Sequence, residues 1–187
     1  MATVKERPRL GGRSARIQAS VHEAVEQLSA EMDRSELAIP AIAARAGVTP
    51  STIYRRWGSL GDLLADVAVK RLRPMADPLD TGSARTDLQA WTEQFMEEMS
   101  SEVGRAMIRD VFSSPVETNA CQCCAYTYEQ LQTIADRTAG RGEAGFDVDE
   151  VVDHVVAPIM YRILFSGRPM DMDYCDALID RVMPGCE

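Results

Sequence analysis

The chain lacks any apolar run long enough to cross a membrane. Its longest, Val155 to Tyr161, is interrupted by Pro158 and ends at Arg162, whereas a spanning helix needs about 20 apolar residues. The opening MATVKERPRLGGRSAR holds no apolar stretch of the kind a secretory signal requires. A soluble, cytoplasmic protein is therefore expected, with no membrane partner. No segment alternates at period two, so no strand is expected and the fold class is all-α. No internal repeat or low-complexity tract is present. Only two histidines occur, His22 and His154, far apart and without a patterned nucleophile, and no glycine-rich phosphate loop exists. An enzyme is not expected, and neither a catalytic residue, a cofactor nor a metal is assigned.

Thiols are few but locally crowded. Cys121, Cys123 and Cys124 fall within four residues, and only Cys175 and Cys186 remain elsewhere. Structural zinc sites need a second ligand pair at regular spacing, which is missing. On one helix Cys121 and Cys124 share a face and Cys123 points away. Buried or incidental thiols are the expected reading, with thiol or metal sensing by Cys121, Cys123 and Cys124 as the alternative. A reducing compartment argues against a structural disulfide.

Positive charge is scarce overall but unevenly placed. The 187 residues carry a net charge of −9, yet residues 1–60 hold nine Lys/Arg against six Asp/Glu, and residues 61–187 hold eleven against twenty-three. Lys5, Arg7, Arg9, Arg13 and Arg16 face Glu6 alone within the first sixteen residues. Such sign asymmetry marks a nucleic-acid-binding end on an acidic body, which repels DNA everywhere else and so orients the encounter.

Helical periodicity organises the rest. Residues 1–13 read as a flexible basic arm broken by Pro8 and Gly11-Gly12. A helix from about Ser14 carries Ile17, Val21, Val25, Leu28 and Met32 on one stripe. Ser59-Leu60-Gly61-Asp62 is a capping pattern that starts a helix ending before Pro74, and residues 74–82 read as a linker. Helices follow over 86–100, 103–112 and 116–138, with Tyr128, Leu131 and Ile134 on one face of the last. Gly140, Gly142 and Gly145 mark a loop. From Val148 to Leu164 apolar residues recur at steps of 3,1,3,1, a wide helical stripe that Pro158 should kink. A last helix spans 171–183, giving about nine in all.

The stretch Ile42 to Trp57, IAARAGVTPSTIYRRW, carries the functional signal. Ala43, Gly47 and Ile53 stand at offsets 0, 4 and 10, placing a small buried residue, a turn glycine and a buried β-branched residue as a helix-turn-helix does. Thr49 suits the N-cap of the second helix and Pro50 its first position. Ser51, Thr52, Tyr54, Arg55 and Arg56 are left facing outward, toward a DNA groove. An ordinary helical hairpin with a solvated polar face is the bland alternative.

These residues resemble the tetracycline-repressor (TetR) family of bacterial transcription regulators. IAARAGVTPSTIYRRWGSLGDLL parallels that family's I-A-x-x-A-G-V-[ST]-x-x-[ST]-[IL]-Y-x-[HR]-[FW] signature, and YRILFSGRPMDMDYCDALIDRVMPG looks like the last two helices of one of its C-terminal subtypes. The resemblance implies a flexible arm (1–13), a DNA-binding domain (14–62) and a ligand-binding, dimerising domain (63–187). It implies a homodimer on a palindromic operator of double-stranded DNA, most often a repressor, released by a small apolar effector. Thr49, Pro50, Ser51, Thr52, Tyr54, Arg55 and Arg56 would form the DNA face, with Trp57 packing it to the core. Two departures thin the phosphate grip: Leu60 stands where many members have Lys, and Ala38 where Ser or Thr caps the second helix. The basic arm (Lys5, Arg7, Arg9, Arg13 and Arg16), Lys5 and Arg13 above all, is expected to compensate along the backbone or minor groove. The effector pocket is expected at Trp91, Phe95, Met99, Met107, Phe112, Tyr126, Met160 and Tyr161, whose pliable thioethers and aromatics suit an apolar ligand. The dimer face is expected at Val152, Val155, Val156, Ile159, Leu178 and Val182, with a helix simply central to its own domain as the alternative. A helical interaction module that does not bind DNA is the remaining alternative.

Overall fold

Val21, Val25 and Leu28 recur at helical steps, and α1 (Gly12–Glu31) buries all three. The computed structural model describes residues 12–183 and divides into two compact units, one through Val67 and one from Ala68. α1 starts earlier than Ser14, so Gly12 and Arg13 belong to it and not to an arm. The rest of the expected arm, Lys5 included, lies outside the described residues.

After a short 3₁₀ turn (Arg34–Glu36), α2 (Ile39–Ala46) begins at Ala38, whose side chain offers no cap. Gly47 ends α2 at φ +66°, its N–H on the Ala44 carbonyl and the Val48 N–H on Ala43. A residue with a Cβ enters this closure only under strain. α3 (Pro50–Trp57) follows, then α4 (Leu60–Arg71). Ser59 caps α4 as its spacing predicts: its hydroxyl accepts the Asp62 N–H at 3.1 Å and donates to the Asp62 carboxylate at 2.7 Å. Ile42, Ala43, Ile53, Leu63, Leu64 and Val67 complete the first core. The boundary therefore falls inside α4, after Val67, and not at residue 62, because the first turns of α4 close that core.

The second unit contains α5 (Ala84–Ser100), α6 (Glu102–Ser113), α7 (Glu117–Arg141), α8 over residues 148–166 and α9 (Met172–Val182). Ser101 alone separates α5 from α6 and caps both; its hydroxyl accepts the Gly104 N–H at 2.9 Å. α7 continues through Gly140 and stops at Gly142, φ +72°. Pro158 leaves α8 continuous. Instead, π-helical turns occupy Val152–Val156 and Arg162–Ser166, and the Ala157 N–H reaches back five residues to the Val152 carbonyl. A widened turn ahead of Pro158 relieves the contact between its ring and the preceding carbonyls.

Nine helices and no strands are found among the described residues, an all-α fold as expected. The apolar stripe of α8 faces inward. Val155, Ile159 and Leu178, expected to face a partner, are wholly buried in the unit's own core, Val156 nearly so, and Val152 and Val182 pack against it. The apolar side chains that α8 leaves exposed are Ala157, Tyr161 and Phe165, four residues apart, the two rings 5.3 Å from each other. No helix among the described residues is long and apolar enough to cross a membrane.

Candidate nucleic-acid interface and ligand cavity

The outward face of α3 follows from which residues its core claims. Ile53 is fully buried, so Thr49, Pro50, Ser51, Tyr54 and Arg55 are exposed and Thr52 half-buried. Tyr54 is 51% exposed. Arg55 has no side-chain partner among the described residues, leaving five N–H donors for an outside acceptor. Thr49 stands at the N-cap position, but its hydroxyl does not cap the backbone. It lies 2.9 Å from the Ser51 hydroxyl and 3.0 Å from that of Thr52, a cluster of three at the head of the helix. Arg13 is exposed on the first turn of α1.

Arg56 is engaged within the molecule. Its guanidinium donates to the Ser14 hydroxyl (2.7 Å), the Ser14 carbonyl (3.2 Å) and the Gln18 amide oxygen (2.6 Å), and lies 5.2 Å from the Trp57 ring centroid. Beneath it, three donors meet one carboxylate oxygen that the sequence did not single out, Oδ2 of Asp66 on α4. Trp57 Nε1 stands 2.7 Å away, His22 Nε2 2.8 Å and Gln18 Nε2 3.2 Å. Partial burial pushes the Asp66 carboxyl up. The bonds from His22, Trp57 and Gln18 outweigh that and hold it below the ordinary carboxylate range. An ionised acceptor places the His22 proton on Nε2. His22 is 1% exposed, and its Nδ1 has no partner among the described residues. Trp57 alone was legible as a packing residue. His22 and Asp66 lie 44 residues apart, and no local pattern joins them.

The second unit holds an open-sided cavity of about 630 Å³, within the range of small-molecule sites. Trp91, Phe95, Met99, Met107, Phe112, Tyr126 and Met160 line it, as expected. Tyr161 does not. One residue on from Met160, about 100° around the helix, it turns outward and is 63% exposed. Trp91 and Phe95 stack with centroids 5.2 Å apart and planes 17° from parallel. Tyr128 leaves the core face of α7 and donates to Asp149 at 2.9 Å.

The segment between α4 and α5, read from sequence as a linker, forms one wall of the cavity through Arg73, Pro74, Met75, Ala76, Asp77 and Leu79. Side chains of α7 hold it by its main chain. Gln130 donates to the Ala76 carbonyl at 3.3 Å, and Arg137 to those of Pro78 (3.0 Å) and Leu79 (2.7 Å). Next to this strap Asp87, with no exposed surface, accepts the Thr81 N–H (2.6 Å), the Thr81 hydroxyl (2.7 Å) and Arg141 (2.9 Å). Burial pushes its carboxyl up, but the Thr81 and Arg141 bonds together hold it below the ordinary range. Arg71, Arg73, Asp77 and Glu98 add charge to the cavity wall, where the sequence offered no anchor.

Cys123 and Cys124 reach the same wall, and Cys121 is exposed. Burial, then the neighbouring Cys124, pushes the Cys123 thiol up to about 11, so near neutral pH it is not a thiolate nucleophile. Among the described residues no three His, Cys, Asp or Glu are grouped to hold a metal ion.

Comparison with known proteins agrees with this division. Residues 23–67 match the family model "Bacterial regulatory proteins, tetR family", and residues 78–182 match "Tetracyclin repressor-like, C-terminal domain". An uncharacterized HTH-type transcriptional regulator of Mycobacterium tuberculosis H37Rv is 28% identical over 163 residues, covering 84% of this chain and 81% of that one. The DNA-binding transcriptional repressor TetR of Mycobacteroides abscessus is 29% identical over 153 residues, covering 76% and 78%. Among solved structures, a TetR transcriptional regulator from Rhodococcus sp. RHA1 superposes with a TM-score of 0.61 at 16% identity, covering 94% of this chain and 100% of that one, a likeness of fold. With both family models matched in chain order over its two units, the chain belongs to the tetracycline-repressor family of helix-turn-helix transcriptional regulators.

Proposed function

We propose that this regulator is a repressor that binds a palindromic operator as a homodimer and is released when a small, mainly apolar effector fills the cavity of its second unit. It does so as a binding protein in the cytoplasm and performs no chemical step of its own. The observation that carries the reading is the pairing, in one chain, of an α3 whose hydroxyls and Arg55 are unburied with a 630 Å³ cavity walled by stacked aromatics and methionines. Thr49, Ser51, Thr52, Tyr54 and Arg55 meet base edges and phosphates. Arg56, tied to α1, supports them and does not reach DNA. Phosphate contacts from Lys5 and Arg13 add to the grip that Ala38 and Leu60 leave thin. The partner-facing surface is centred on Tyr161 and Phe165, the apolar residues that α8 leaves outside.

The test is selection of duplexes from a random pool by the full chain at low salt, followed by a thermal-shift screen of small molecules. Enrichment of an inverted repeat, and its release by a compound that raises Tm, is the expected outcome. A pool that stays unenriched overturns the DNA-binding reading. Hits that stabilise the protein yet leave the DNA bound overturn release.

A further inference from the structure

We infer that Asp66 is the positioning residue for α3: its carboxylate sets the angle at which the DNA-facing helix is presented. The proposal rests on the DNA-binding reading of α3 and adds a residue that reaches no DNA itself.

The geometry is a closed ring of polar contacts. Gln18 uses both ends of its amide, accepting from Arg56 through Oε1 at 2.6 Å and donating to Asp66 through Nε2 at 3.2 Å. Arg56 is followed in the chain by Trp57, whose indole N–H returns to the same Asp66 oxygen at 2.7 Å. His22 closes on that oxygen from one turn further along α1. Three helices thus meet at one atom. Donors come from α1 and α3, and the acceptor comes from α4.

Apolar packing alone leaves α3 poorly fixed. It is eight residues long and buries only Ile53 fully, with Trp57 half-buried against the same core one turn on, so its apolar contacts run along a single edge about which a short helix can still roll. The Trp57 and Arg56 bonds fix that roll at the C-terminal turn, and so fix where Ser51, Thr52 and Arg55 point. A carboxylate is required because three N–H donors converge on one oxygen. A neutral amide is a weaker acceptor, and its own NH₂ adds donors to a site already crowded with them. Nor does His22 have another partner to turn to, since its second ring nitrogen has none among the described residues.

The test compares Asp66→Asn and Trp57→Phe with the wild-type full chain. Trp57→Phe keeps an aromatic ring against the core while removing the N–H donor together with part of the indole's volume, so it stays informative where Asp66→Asn fails to fold. Duplexes enriched from a random pool by the wild type serve as the specific probe, and an unselected duplex as the non-specific one. Both variants are expected to lose about tenfold or more in specific affinity, the scale of a lost hydrogen bond to a charged group. Non-specific binding at low salt should hold within about twofold. Hydrogen exchange supplies a readout without DNA: amides of α3 should exchange at least about tenfold faster in both variants, with α2 and the second unit unchanged. Unaltered α3 exchange in Trp57→Phe overturns the proposal, as does uniform acceleration across α1, α2 and α3, which marks a merely structural role. If the wild type enriches no duplex, the DNA-binding reading falls, and the exchange arm alone decides the role of Asp66.

Discussion

At the scale of single residues, neighbours in the chain have opposite duties. Arg55 and Arg56 are indistinguishable as letters, yet one guanidinium is unpartnered within the described residues and the other is held by Ser14 and Gln18. Arg55→Ala should therefore weaken DNA binding directly. Loss of a phosphate contact lowers the log–log salt slope by about one, and loss of a base contact relaxes sequence preference at one position; salt titration over selected and mutated duplexes distinguishes the two. Asp87 makes a separate prediction about acid. Its native carboxyl lies below its unfolded value, so its contribution to stability is fully present above the ordinary Asp value of about 3.9 and is lost as pH falls through the depressed native value. Asp87→Asn should be less stable at neutral pH and show a flatter acid limb when Tm is followed downward from pH 5.

Elements succeed or fail at their ends. Gly104 sits where an added Cβ would meet the Glu98 carbonyl oxygen at 2.0 Å, against backbone that has no flexible end to yield. Gly104→Ala should destabilise the second unit by roughly 1–3 kcal/mol through overpacking, read as a lower urea midpoint with unchanged helical content. Capping and turn chemistry were the most legible part of the sequence: Ser59 with Asp62, and Gly47, each need only a few adjacent residues. The face of α8 was less legible. Periodicity announces that Val155 and Ile159 share a stripe, but a stripe buried by its own unit and one buried by a partner have the same period. The Asp66 site was not legible at all, because its four members come from three helices and are drawn together only by folding. The strap escaped for a related reason: proline-rich coil reads as a connector whether or not it lies over a cavity.

For the whole molecule, occupancy of the cavity and the state of assembly are the measurable variables. A compound at 100 times its Kd should add about 2.7 kcal/mol to the second unit. Met107→Trp, which fills part of the cavity, should abolish that Tm rise while leaving selected-duplex binding in place. Tyr161→Glu with Phe165→Glu should convert the proposed dimer to monomers in sedimentation without loss of helical signal, because neither side chain is part of the core. The strap carries a further consequence. Gln130 and Arg137 grip the carbonyls of Ala76, Pro78 and Leu79, groups that every amino acid possesses. Its side chains are thus free to vary while its path stays fixed. On the reading proposed above, substitutions at residues 73–77 should exchange one effector for another while leaving both the helical scaffold and the outward face of α3 as they were.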